Sequence, residues 1–313
     1  MKHLEKKKAG KSRLPILLWK NRYYYLLLLP ALLFFVLFCY VPMAGVVLAF
    51  KDFSYAKGIF RSDWAGLKHF ERLFSSNSFY EILRNTVVIS LYRLVFSFPM
   101  PVIFALLLNE IKAMKFKRCV QTISYLPHFI SWVVMGGIIA ELLSPSRGVV
   151  NYLLGLFGKE PIYFLAEPAY FRGVLVVTDI WKSVGWGSII YLSAIAGVDT
   201  EQYESAAIDG ATRWDMAVRI TLPSILPTIV TMFILQIGSI LSAGFDQIFN
   251  LYNPTVYKVA DIIDTYVYRV GINEMKYDYT TAVGLFKNVV GFGLVVITNF
   301  IVRHIGEGEH GIW

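Results

Sequence analysis

Long apolar runs alternate with shorter polar ones along the chain. The runs at about 23–50, 85–110, 120–143, 172–197, 223–249 and 281–303 are each bounded by polar or Gly/Pro-containing stretches. A bilayer core about 30 Å thick takes roughly 20 mostly apolar residues per helical crossing, and all six runs are long enough. They are continuous, unlike the alternating segments of about ten residues that build a membrane barrel. The pattern predicts an all-α membrane protein with six transmembrane helices, each satisfying its own backbone polar groups within the lipid. The first run is too long for a secretory signal core, and no small-x-small cleavage site follows it. It is expected to remain as an anchor.

Composition agrees. Of 313 residues, 56% are hydrophobic and 17% charged, against roughly 25% charged in a soluble domain. Net charge is +8, and its placement sets the orientation. Lys2, Lys6, Lys7, Lys8, Lys11, Arg13, Lys20 and Arg22 precede the first run, and Lys112, Lys115, Lys117 and Arg118 lie between the second and third. The positive-inside rule assigns both groups to the cytoplasm, which six spans permit when both termini are cytoplasmic. The 51–84 loop carries six Lys/Arg and pulls the other way, but the tail outweighs it. The division that follows is a basic tail over 1–22, a first membrane helix over 23–50, an extracytoplasmic loop over 51–83, a core over 84–304 and a C-terminal tail over 305–313. A basic tail of this kind ordinarily fixes topology, and no nucleic-acid partner is expected.

Candidate catalytic chemistry is sparse. His3, His69, His128, His304 and His310 are scattered without metal-ligand spacing, and Cys39 and Cys119 offer neither a disulfide framework nor a metal set. Gly10-Lys11-Ser12 resembles the end of a phosphate-binding loop, but the glycine required five positions earlier is Glu5. No catalytic residue and no metal are assigned, and any ATP chemistry must come from another chain.

The polar stretch at 198–222 lies between the fourth and fifth runs, hence on the cytoplasmic side. It reads as two short helices around a turn. Asp199 is placed to cap the first helix, with Gln202 completing a box-like pair. Asp209-Gly210 breaks the helix, and Ala211 to Ile220 resumes it, with Trp214, Val218 and Thr221/Leu222 on one side. Pro223 opens the fifth span, where its missing N–H costs little. Taken by periodicity alone, this is a solvated surface hairpin.

The residue order says more. Glu204-Ser-Ala-Ala-Ile-Asp209-Gly210-Ala211, followed by Ile220-Thr-Leu222-Pro223 and Pro227, resembles the EAA signature of permease subunits of binding-protein-dependent ABC importers. One departure is Ala217, where the family often has an aromatic residue; Trp214 is the candidate substitute. The resemblance extends over roughly 85–303. Tyr125-Leu-Pro-His-Phe-Ile-Ser-Trp132 and Gly148-Val-Val-Asn151 are similar to the carbohydrate-uptake, maltose-type branch, near its oligosaccharide and polysaccharide members.

The resemblance implies a type I ABC importer permease fold in a bacterial cell membrane, with 199–222 as the coupling hairpin. Glu204, Ala207, Asp209, Gly210, Ala211, Leu222 and Pro223 are then the residues that engage a separate ATPase. Implied partners are a second homologous permease forming a heterodimer, two copies of a cytoplasmic ABC ATPase that carries the ATP and magnesium, and an extracytoplasmic solute-binding protein. That protein would deliver a carbohydrate to outer loops at about 51–83, 144–171 and 251–280. This chain would bind no cofactor of its own.

Ionisable residues inside membrane spans are costly and point to function by default. At about 1.5 Å per residue, Arg93, Lys182 and Lys287 lie roughly 13, 15 and 10 Å below the outer ends of their spans. Asp179 and Asp246 are the available counter-ions. On the fifth run Gln236, Ser239, Ser242 or Ala243, Asp246 and Asn250 recur at helical spacing as one polar face. Span six carries Asn288 and Asn299 with Gly291 and Gly293 between them, and span four carries Trp181, Trp186 and Tyr191 as rings for sugar faces. These residues form a candidate translocation pathway, and the three cations suggest an acidic, uronate-containing oligosaccharide as cargo. Two blander readings stay open: polar and small residues that glue helices together, and a private Asp179–Lys182 salt bridge. A membrane receptor or embedded enzyme whose hairpin binds a different partner is the alternative to a transport subunit.

Overall fold

The computed structural model describes residues 19–305. The basic stretch Lys2 to Arg13 and the C-terminal segment beyond 305 lie outside the described residues, as do His3 and His310. The described residues are mostly helical, and the one sheet among them is an antiparallel pair, β1 (Lys51–Asp52) and β2 (Asp63–Trp64).

The first run forms α1 (Arg22–Phe50), none of whose apolar window is buried within the chain. The amphipathic α2 (Lys68–Phe74) precedes α3 (Asn77–Asn109). Both α1 and α3 are long and apolar enough to cross a membrane. Each contains a widened π turn, at Val36–Tyr40 and Arg93–Ser97, and each turn ends two residues before a proline, Pro42 or Pro99. Proline lacks an N–H and its ring presses on the carbonyl four residues back. Widening the turn keeps the helix running past it.

The third run departs from the single span expected over 120–143. Met114–Phe129 (α4) and Trp132–Leu142 (α5) meet at 109°. Pro127 starts the break, and Ser131 restarts the helix by accepting from the Val134 N–H. The short α6 (Val149–Leu156) follows. The fourth run is one unbroken helix, α7 (Pro168–Ala196), of 29 residues. At 1.5 Å per residue this is about 43 Å, long enough to cross a bilayer, but with Arg172, Asp179 and Lys182 it is less apolar than the other runs. Among the described residues three helices, or five counting each bent pair as one, meet both length and hydropathy where six were expected.

The fifth run also differs from expectation. After the hairpin helix α8 (Thr200–Ile208), the chain forms α9 (Arg213–Ser224) and then α10 (Leu226–Gly238), bent by 60°. Next come a 3-10 turn over Ile240–Ser242, two left-handed residues and the short α11 (Phe245–Leu251). Downstream are α12 (Ile263–Tyr268) and α13 (Tyr277–Ile305), the last also long and apolar enough to cross.

Three buried clusters hold these elements together. In the first, Ile89, Met135, Ile139, Phe171, Leu175, Ile248 and Ile262 join α3, α5, α7 and α11. Leu73, Phe79, Ile82, Ile263, Tyr279 and Val283 join α2, α3, α12 and α13. Near the hairpin Val102, Ala105, Tyr191, Ile195 and Ile225 join α3 to α7.

The 51–83 loop is tied to the start of α13. The buried His69 donates from Nε2 to the Lys51 carbonyl at 2.9 Å, with Asp52 and Asp278 oxygens at 3.7 and 3.8 Å. The Phe53 N–H donates to Asp278, and Lys68 holds both oxygens of Asp52. Spacing gave no hint of this His–Asp–Asp trio, because its members lie on three separate segments.

Candidate functional site: coupling hairpin and central polar network

The hairpin is built much as its residues suggest, with shifted caps. Asp199 caps α8 by accepting from the Glu201 N–H at 3.0 Å, but Gln202 does not close a box with it. The reciprocal box forms one helix later. Thr212 Oγ1 accepts from the Asp215 N–H, and Asp215 accepts from the Thr212 N–H at 3.1 Å. Helix therefore resumes at Arg213, not Ala211. The bond from the Thr212 hydroxyl, then that from its N–H, holds the Asp215 carboxyl below its ordinary value.

Gly210 takes φ +78°, the left-handed bend that a side chain disfavours. A π turn over Ala217–Thr221 leads into Pro223, as at the other two prolines. The elbow is braced twice. Tyr203 and the buried Thr221 share a hydroxyl hydrogen bond of 2.9 Å, and Arg213 reaches Glu110 at the end of α3 at 4.0 Å. Glu204, Ala207, Asp209 and Ala211 sit on α8 and its turn, and Leu222 and Pro223 at the end of α9. The outer face of the hairpin is partly apolar: Ile208 is 87% and Trp214 76% exposed. Both side chains are available as apolar contact surface.

In the membrane region the cations find partners that differ from those expected. Arg93, in the π turn of α3, lies 3.5 Å from Asp179 of α7 and donates to the Gln247 amide oxygen on α11. Gln247 is fully buried and donates onward to the Leu175 carbonyl at 2.8 Å and the Thr178 hydroxyl at 2.7 Å. Gly244, at φ +80°, leaves the room that the Arg93 guanidinium occupies; a Cβ there would collide with it. One network thus links the second, fourth and fifth runs.

Lys182 does not pair with Asp179. Its ammonium donates to the carbonyls of Pro127, His128 and Ile130, the acceptors freed where the chain breaks between α4 and α5, and it sits 5.3 Å from the Trp132 ring. Trp186, one turn on, stacks on His128 at 4.6 Å. Lys287 binds both oxygens of Asp264 at 2.6 and 2.7 Å and the Ser242 hydroxyl at 3.1 Å. Asp264 lies outside every apolar run, so span hydropathy gave no reason to select it.

The expected polar face of the fifth run is interrupted. Gln236, Ser239 and Ser242 line a small cavity of about 230 Å³ with Ser90, Arg93 and Gly244. Asp246 lies beyond the left-handed break at Ala243–Gly244, exposed and without an ion pair among the described residues. It is no counter-ion. Asn288 is exposed on α13 and makes no hydrogen bond among the described residues. Arg93 and Lys287 are matched by carboxylates, and the Lys182 ammonium keeps its charge but has its donors taken by carbonyls, so the three cations do not stand free as their depth suggested.

Comparison with known proteins supplies the wider setting. Residues 97–307 match the family described as the inner membrane component of binding-protein-dependent transport systems. The chain is 46% identical to protein LplB of Bacillus subtilis (strain 168), over 92% of this chain and 91% of that one. It is 44% identical to the polygalacturonan/rhamnogalacturonan transport system permease protein YteP of the same organism, over 96% and 94%. Among solved structures it superposes with TM-score 0.87 and 43% identity on a chain of a bacterial ABC transporter involved in the import of the acidic polysaccharide alginate, covering 94% of this chain and 99% of that chain. A second alginate transporter structure, in complex with a periplasmic protein bound to an alginate pentasaccharide, matches with TM-score 0.88 and 42% identity over 96% and 100%. With the helical core, the capped hairpin and matches of this length, the chain belongs to the family of inner membrane permease components of binding-protein-dependent ABC transport systems.

Proposed function

We propose that this permease subunit imports a uronate-containing oligosaccharide, working with a homologous second permease, two ATPase subunits and an external binding protein. It crosses the membrane six times with both termini in the cytoplasm, counting each bent pair and α7 as one span. ATP and magnesium act on the ATPase, and the chain carries no catalytic residue of its own. The acidic cargo rests on the relatives, whose names specify polygalacturonan, rhamnogalacturonan and alginate, and no longer on Arg93, Lys182 and Lys287.

The observation that carries the coupling role is the braced hairpin with Ile208 and Trp214 exposed at its tip. Glu204 and Asp209 supply polar contacts, Ala207 and Ala211 allow close approach, and Gly210 sets the bend. ATPase closure pushes on α8; α9, Leu222 and Pro223 pass the displacement to α10. The bundles then move as rigid bodies to alternate access. The pathway runs beside the cavity at Gln236 and Ser239, with Arg93, Asp179, Lys287 and Asp264 holding its walls in register. Asp246, Asn288 and Trp186 contribute polar or aromatic surface at its margins.

A crosslinker placed at Ser205 or Thr212 tests the docking, with capture of an ATPase chain in intact cells as the expected result. Its absence, with the transporter expressed, refutes the hairpin's role. ATP-dependent uptake of a galacturonate oligosaccharide by the reconstituted assembly tests the cargo.

A further inference from the structure

If the membrane-buried cations are spoken for, an acidic sugar must be recognised elsewhere. The outer face holds a second polar cavity, of about 540 Å³, between the start of α3, the 257–274 segment and the start of α13. That volume lies within the range of small-molecule sites, about 300–1,000 Å³. Its walls are ordered. Arg269 makes a two-point ion pair with Asp261 at 2.5 and 3.2 Å, and its guanidinium lies 4.9 Å from the Tyr257 ring. Arg72 is held 4.8 Å over the Tyr279 ring, whose hydroxyl meets that of Tyr266 at 3.4 Å. Asn85 seals one side, donating to the carbonyls of Lys258 and Asp261 and accepting from Arg172.

Charge counting separates the matched groups from the free ones. Arg269 is matched by Asp261, and Lys276 by Glu274 at 2.6 Å. Arg72 and Lys258 remain as cations with no ion pair within 4.0 Å among the described residues, Arg72 feeling the Glu274 carboxylate only from beyond that distance, and Glu81 remains as one unpaired carboxylate. Two unpaired cations beside tyrosine rings and one acceptor suit a ligand with carboxylates, hydroxyls and flat apolar faces. Guanidinium and ammonium groups bind carboxylate by charge-assisted hydrogen bonds. Tyrosines offer ring faces together with hydroxyls, and Glu81 accepts from sugar hydroxyls.

We infer that this outer cavity is an entry subsite at which Arg72 and Lys258 hold a uronate unit of the arriving oligosaccharide before it passes into the membrane. The inference rests on the acidic-oligosaccharide reading above and adds a site to it. Recognition at the mouth, where the cations remain hydrated, avoids stripping water from free charge deep in the bilayer.

The test uses the whole transporter in nanodiscs of zwitterionic lipid. Amine acetylation at Lys258 is followed by mass spectrometry, with Lys159 of the 144–171 loop as the control. A galacturonate trimer at twice its dissociation constant should slow Lys258 labelling about threefold and leave Lys159 unchanged, while the carboxyl-reduced neutral trimer should slow neither. Arg72→Gln should raise the trimer concentration for half-protection about tenfold, the scale of one hydrogen bond to a charged group. Equal protection by the neutral trimer overturns carboxylate recognition. Protection by sugar-free binding protein but not by the trimer overturns the subsite and makes the cavity a docking surface. No protection at all, in a transporter that takes up the trimer, removes the subsite and leaves the transport reading standing. Failure of the unsubstituted transporter to take up any uronate oligosaccharide removes both.

Discussion

Gly210 isolates backbone conformation from every other contribution. Its φ is +78°, and a Cβ built there meets no atom within 4 Å, so a substitution adds no clash and only the backbone preference changes. An L side chain in the left-handed region costs about 1–2 kcal/mol, and β-branched residues are genuine outliers there. A penalty of one or two kcal/mol is a factor of about 5–30 in a two-state population. The bend between α8 and α9 should therefore be lost progressively in the order Gly, Asn, Ala, Val, with Asn mildest because its short polar side chain tolerates this region. The assay compares ATP-driven oligosaccharide uptake by the reconstituted transporter with its thermal melting. Uptake per ATP should fall by about 5–30-fold for Gly210→Val, and the melting temperature of the exposed hairpin's host should hardly move. Full uptake by Gly210→Val would refute the idea that the bend transmits force.

Three further outcomes follow from named contacts. Lys287→Met should destabilise the bundle by about 3 kcal/mol, since it strands Asp264 partly buried, whereas Lys287→Met with Asp264→Asn should regain most of that loss; thermal melts in detergent read both. The Thr212 bonds depress the Asp215 carboxyl, so the cap's contribution is present above the ordinary aspartate value and is lost as pH falls through the depressed one. Hydrogen exchange of the Met216 amide, which donates to the Thr212 carbonyl, should stay protected through the ordinary aspartate range once corrected for its intrinsic rate, and Thr212→Ala should move the loss to higher pH. Trp214→Ser should leave this chain's own stability unchanged, because the ring is exposed, yet weaken ATPase association by about 2 kcal/mol or more, the scale of an aromatic hot spot; a pull-down titration measures it.

Much of the site was legible because its signals are local. Asp209-Gly210 declared the bend, Asp199 declared a cap, and the EAA-like order pointed to the family from one continuous stretch of chain. Spacing does not single out the capping box for an equally local reason: Asp199/Gln202 and Thr212/Asp215 both have the i, i+3 spacing, and only the second pair closes reciprocally. The cation partners were not legible. Asp179 and Lys182 share a helix at pairing distance, yet Arg93 takes the aspartate and freed carbonyls take the lysine. Depth along a helix gives a residue's level in the membrane, but not the neighbour it meets.

The apolar runs by themselves determined that the chain is helical and membrane-embedded, since their lengths match a bilayer and their continuity excludes a barrel. Local polar signals placed the elbow between the fourth and fifth runs, since the Asp199 cap and the Gly210 bend act over three or four residues. The tertiary structure decided where the third and fifth runs break, and so which polar groups meet. Pro127 with Ser131, and Ala243 with Gly244, turn the chain sharply enough to bring Lys182 onto open carbonyls and Gln247 against Arg93. Those meetings join residues 54 and 154 positions apart. No periodic pattern encodes them, because they exist only once the helices have packed.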